Sequence, residues 1–183
     1  MTQKLPATPG QTIGPFFGFS LPYEGGEDLV NRTHPAALRL HGTVFDGAGE
    51  PIPDAVIEIW QADEHGVISQ SPGSINRDGY TFTGFGRAAA DAVGNYQFTT
   101  VEPGAGDGGA VPFFAVAFFC RGLLGKLHTR IYLPECDVES DPFLSSLDSH
   151  RRASVIASRE PDGSLLFNLR VQGDEETVFL DFD

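Results

Sequence analysis

Several things are scarce in this 183-residue chain. It holds two cysteines, one methionine and one tryptophan. Cys120 and Cys136 form no CxxC pair and are too few for a disulfide framework. Cys120 ends the apolar run 113–119 and reads as a small buried hydrophobe. Basic residues are also few: Lys+Arg 12 stand against Asp+Glu 25, a formal net charge of −13. That field repels phosphate backbones and anionic lipid surfaces, so neither nucleic acid nor a membrane is an expected partner. The longest apolar run, 111–120, is too short to cross a bilayer, and the N-terminal MTQKLPATPGQTIGPFF has no apolar segment of secretory length. A soluble, cytoplasmic protein is the expectation. The common catalytic signatures are missing too, since there is no GxSxG elbow, no phosphate-binding glycine loop followed by lysine and no HExxH. Gly104-Ala105-Gly106-Asp107-Gly108-Gly109 precedes no helix pattern and reads as a flexible connection. Asp174-Glu175-Glu176 reads as a solvated turn, and Arg151-Arg152 as the wet face of a helix.

What is present has ordinary globular proportions, with 40% hydrophobic and 20% charged residues. The length predicts a single domain spanning residues 1–183. Gly 22 and Pro 13 point to many tight turns between short elements. Strand patterns recur at 38–44, 55–60, 95–101, 113–119, 127–133, 165–171 and 177–182. The run 113–119 has no polar residue on either face and reads as a central strand buried on both sides. The fold class predicted is all-β, an antiparallel β-sandwich with one short helix in the C-terminal half, over 143–159. Residues 1–35 carry Pro6, Pro9, Pro15, Pro22 and Pro35 with little periodicity, and read as an extended arm laid over a surface. Residues 66–90 read as a long, loop-rich excursion.

Two patterns bear on chemistry. The five histidines (His34, His41, His65, His128 and His150) include no pair at i+2 or i+4, so no local metal-ligand pair exists. In Leu127-His128-Thr129-Arg130-Ile131-Tyr132-Leu133, period-2 alternation puts His128, Arg130 and Tyr132 on one face. That face is either the wet side of a half-solvated strand or a polar wall whose guanidinium suits bidentate capture of a carboxylate.

The segment His41-Gly42-Thr43-Val44-Phe45-Asp46-Gly47-Ala48-Gly49-Glu50-Pro51, running on through Ala55 to Trp60-Gln61-Ala62, resembles the core signature of the intradiol ring-cleavage dioxygenases. The pattern is G-x-V-x-D-x-x-G-x-P followed by a strand ending in W-Q-A. Agreement continues through Thr83-Gly84-Phe85-Gly86-Arg87, residues 94–104, the terminal 177–182 and the N-terminal Thr8-Pro9-Gly10-Gln11-Thr12-Ile13-Gly14-Pro15-Phe16.

The resemblance implies ring cleavage of protocatechuate with O2 at an Fe(III) held by two tyrosines and two histidines. It also implies where those ligands should stand. Counting from Trp60, the first tyrosine position falls on Ile68. The second falls near Gly106, and the H-x-H pair falls on Phe113 and Ala115. None of these four carries a side-chain lone pair for iron. The resemblance therefore implies no catalytic residue and no metal in this chain, with Fe(III) held instead by a homologous beta chain in a higher-order alpha/beta oligomer. Filling the old site with Ile68 and Phe113 is expected to turn it into packed core. In such a protomer this chain would line the partner's substrate cavity with Thr12, Gly14, Pro15 and Phe16 of the arm, and with Arg130 at its mouth. Two other readings remain: a metal site relocated to His41, His128 and Tyr132, or a β-sandwich binding module without an enzymatic partner.

Overall fold

The computed structural model describes residues 14, 16–71, 77–106 and 109–182. Apolar–polar alternation builds strands β1 (Leu38–Phe45), β2 (Val56–Trp60), β4 (Asn95–Thr100) and β6 (Leu127–Tyr132), beside β3 (Phe85–Ala89) and the wholly apolar β5 (Phe113–Phe119). Shorter strands β7 (Ser158–Arg159), β8 (Leu165–Leu166) and β9 (Leu169–Arg170) follow. One sheet is ordered β4-β1-β8-β7, with β9 also on β1, and the other is ordered β3-β2-β5-β6. Every pair in the second sheet is antiparallel, whereas β1 runs parallel to β8 and β9. The inward residues form one core: Leu40 of β1, Ile57 and Ile59 of β2, Phe98 of β4, Phe114, Val116 and Phe118 of β5, and Ile131 of β6 are all buried together. Each such side chain contributes about 1.5–3 kcal/mol through burial. Cys120 lies in this core at 1% exposure, and burial pushes its thiol up to about 11.

Five expectations need correction. The helix expected over 143–159 is two short helices, α2 (Pro142–Ser146) and α3 (Ser149–Ala153). Asp148 starts the second by accepting from the His150 and Arg151 amides, which breaks the chain direction at Leu147. The strand expected over 165–171 is interrupted at Phe167 and Asn168. There the Asn168 Oδ1 accepts the Thr43 N–H at 2.9 Å, and the Phe167 carbonyl accepts the Tyr96 hydroxyl at 2.7 Å instead of a ladder amide. Residues 177–182 form no strand. They are stitched by separate bonds, Thr177 N–H to the Arg170 carbonyl and Leu180 N–H to the His128 carbonyl. The excursion 66–90 contains β3, which the low β-propensity of Phe-Gly-Arg-Ala-Ala concealed. Strand β5 is central as expected, but only one side is fully buried, because Phe113, Ala115 and Phe119 are half-exposed on the outer face.

Backbone bonds hold the described segment that follows Phe16. After α1 (Phe17–Ser20), Gly26 accepts the Arg87 amide from β3 at 2.8 Å, and Glu27 and Leu29 bond Thr99 of β4. The segment thus closes the open edge between the two sheets. Gly26 is required there, because a Cβ would lie 2.9 Å from the Arg87 carbonyl oxygen. Phe17 packs on Phe119 with ring centroids 6.3 Å apart. Among the described residues, no helix is long and apolar enough to cross a membrane.

Candidate functional site

The outer face of the second sheet carries the site. Register aligns Phe85, Trp60, Ala115 and Arg130 in one row across β3, β2, β5 and β6, with Phe113 opposite Tyr132 in the next. Alternation turns Phe113 and Ala115 outward because Phe114 and Val116 fill the core. Trp60, the last residue of β2, is half-exposed and packs against Phe85 at 4.7 Å between rings.

Two loops rise beyond the strand ends. Asp63 organises the first, its Oδ1 accepting the His65 and Val67 amides at 2.9 and 2.8 Å. The second docks on it through glycine: the Gly104 N–H donates to the Asp63 carbonyl at 2.8 Å. A Cβ on Gly104 would lie 2.5 Å from both the Glu64 oxygen and the Gly66 nitrogen, and Gly66 itself has φ +81°. Buried Gln61 clamps the base. Its Nε2 donates to the Ala62 and Val101 carbonyls at 3.0 and 2.9 Å, and its Oε1 accepts the Thr100 hydroxyl.

These elements enclose a pocket of about 310 Å³. Ile68, Gly106, Phe113 and Ala115 all line it, together with Trp60 and Pro112. Four positions drawn from distant stretches of sequence therefore converge. The expectation of packed core is corrected, since Ile68 is 69% exposed and a cavity persists. The residues at hand leave the space open because Gly106 and Ala115 present almost no side chain to fill it. Among the described residues, the polar side chains in the wall are those of Gln61, Ser69 and Thr83. Ser69 Oγ accepts the Ser71 amide at 3.2 Å, and Thr83 Oγ1 accepts Arg77 at 2.9 Å.

Arg130 borders this pocket without lining it. Its guanidinium carbon lies 4.3 Å from the Phe113 ring centroid, a cation–π contact. Nη1 donates to the Tyr132 hydroxyl at 2.9 Å and stands 3.7 Å from Asp141 Oδ2. The Tyr132 hydroxyl in turn donates to that oxygen at 3.2 Å. Asp141 Oδ1 accepts the Phe143 and Leu144 amides, so one carboxylate both starts α2 and holds the arginine. Burial pushes the Tyr132 phenol up to about 12, against the opposing pull of Arg130. Asp141 went unnoticed in the sequence reading, although Asp-Pro ahead of an apolar pair is a helix-start signal.

The other candidate residues stand apart. Thr12 and Pro15 lie outside the described residues. Gly14 has φ +70°, and Phe16 is 77% exposed just before α1. Because Phe17 packs on Phe119, the arm meets β5 at the end opposite Phe113; from Ala115 to Phe119 is roughly 13 Å along a strand. Among the described residues, arm and arginine thus line no common cavity. The relocated metal site is overturned. His41 sits on the outer face of the first sheet with Nε2 2.7 Å from Glu160 Oε2, while His128 and Tyr132 belong to the second sheet, across the core. His128 packs edge-on against Phe182.

A family described as Dioxygenase matches residues 14–110. The chain is 33% identical over 195 residues to the protocatechuate 3,4-dioxygenase alpha chain of Burkholderia cepacia, covering 97% of this chain and 98% of that one. With the alpha chain of Pseudomonas putida it shares 35% over 203 residues, at 98% of each. This chain belongs to the intradiol ring-cleavage dioxygenase family. The beta chain of Burkholderia cepacia is 29% identical over 155 residues, covering 78% of this chain and 60% of that one. In fold, the intradiol ring-cleavage dioxygenase of Tetranychus urticae superposes with a TM-score of 0.62 at 17% identity, over 79% of this chain and 84% of that one.

The intradiol family uses non-haem iron, and the pocket's residues do not fit it. Ferric ion takes anionic oxygen and imidazole donors, whereas Ile68, Phe113 and Ala115 are hydrocarbon and Gly106 has no side chain.

Proposed function

We propose that this chain is the alpha subunit of a heteromeric protocatechuate 3,4-dioxygenase, catalytically silent alone and active beside a homologous beta chain. The assembled enzyme would cleave protocatechuate between its two hydroxyl-bearing carbons, incorporating both atoms of O2 to give 3-carboxy-cis,cis-muconate. The observation that carries this reading is the convergence of four donor-free positions on one apolar pocket in a chain similar to two alpha chains from end to end. Fe(III) is assigned to the beta chain, and no step of the chemistry is assigned to residues of this chain.

What this chain contributes is cavity wall and scaffold. Thr12, Gly14, Pro15 and Phe16 of the arm reach the partner's cavity in this account, which fits an exposed Phe16 anchored next door by Phe17. Glycine and proline let that backbone pass a ligand closely. Arg130 supplies positive charge for a carboxylated substrate that must approach a chain of net charge −13. The domain is taken as the whole of residues 1–183, in a higher-order alpha/beta oligomer.

Co-expression with a beta chain tests the proposal. The expected result is a coloured complex that consumes protocatechuate. A chain that forms no complex with any beta chain, and leaves the turnover of beta preparations unchanged, would instead be a binding module without an enzymatic partner.

A further inference from the structure

We infer that the pocket beneath Trp60 is a binding site for small, neutral aromatic molecules and discriminates against carboxylated ones. This goes beyond the subunit reading and requires no beta chain. The cavity, about 310 Å³, accommodates a single ring with short substituents. Its walls are hydrocarbon and aromatic: Trp60, Ile68, Pro112, Phe113 and Ala115. The three polar side chains that the described residues place in the wall already have partners, namely Val101 for Gln61, Ser71 for Ser69 and Arg77 for Thr83. Among the described residues, no charged side chain lines the space. A carboxylate placed there would lose its hydration without gaining a counter-ion. The nearby cation, Arg130, stands over the Phe113 ring and is paired with Asp141, without itself lining the cavity. A neutral ring gains the apolar area of Trp60 and Ile68, which are otherwise 50% and 69% exposed to water.

Trp60 is the single tryptophan of the chain, so its fluorescence reports on the pocket directly. Toluene and benzoate, which share a ring and differ in charge, are titrated into the purified full chain. The expected result is a saturable blue shift with toluene, and an affinity for benzoate weaker by at least about tenfold. Ala115→Leu, which projects into the cavity from the outer face of β5, should abolish the toluene response. Should that variant fail to fold, Ile68→Asp at an exposed loop position gives the same information by placing charge at the lip. A linear, non-saturating shift, equal affinity for benzoate, or an unchanged response in Ile68→Asp would overturn the inference. So would a blue shift that rises with protein concentration in the absence of toluene, because the pocket would then be filled by another protein surface.

Discussion

Arg130 and Asp141 stand 3.7 Å apart, with the Tyr132 hydroxyl bonded to both. The arginine is thereby fixed on the Phe113 ring at the rim of an apolar pocket rather than swinging in solvent. A half-buried guanidinium held from one side is pre-organised to receive a carboxylate from the other, because little side-chain entropy remains to be lost.

The two oxygens of Asp141 have separable jobs. Asp141→Asn keeps an acceptor for the Phe143 and Leu144 amides and is expected to cost less than about 1 kcal/mol. Asp141→Ala removes the cap and leaves the buried Tyr132 hydroxyl short of a partner, at a cost of about 1–3 kcal/mol. Urea unfolding of the two variants measures the difference, and equal losses would show that the cap contributes nothing.

Arg130→Ala, assembled with a beta chain, should raise KM for protocatechuate at least about tenfold, the worth of one charge-assisted contact, with iron content unchanged. Steady-state kinetics with iron quantitation on the same preparation reads both. An unaltered KM removes Arg130 from the substrate cavity.

Alkaline stability follows from the Tyr132 phenol. Its folded value of about 12 lies above the ordinary value near 10. A raised value means that the neutral form is favoured by folding. That contribution is complete below about pH 10 and is lost as pH climbs towards 12. Tyr132→Phe should therefore show a shallower fall in unfolding free energy across that window than the wild-type chain, whose Cys120 thiol adds a similar fall. Parallel curves would contradict the assignment.

Gly104→Ala should break the docking of the two loops over the pocket, since the added methyl would sit 2.5 Å from backbone atoms of Glu64 and Gly66. A loss of more than about 2 kcal/mol, or a shifted Trp60 emission at equal stability, is expected. A variant with wild-type melting and emission would show that the contact is dispensable.

Much of this was legible in the sequence where a pattern repeats locally. Strands β1, β2, β4 and β6 fall where alternation placed them and β5 where the apolar run did, and Leu40, Ile57, Phe98 and Phe114 are buried accordingly. The resemblance located four positions that the fold brings around one pocket. What was missed depends on partners far away in the chain. Strand β3 is held by pairing with β2, including Glu58 with Arg87 at 2.6 Å, and its own residues carry little β-propensity. The break at Phe167 and Asn168 comes from Tyr96 and Thr43, which no local window contains. Whether Ile68 would fill or merely rim the pocket was beyond reach as well, because that turns on the loop geometry set by Gly66 and Gly104.

The most direct measurement is iron per chain, together with ring-opening activity, on this chain purified alone and on its complex with a beta chain. The chain alone should show no stoichiometric iron, no tyrosinate-to-iron colour and no turnover, with all three present in the complex. Tightly held iron and cleavage of protocatechuate by the isolated chain would contradict that.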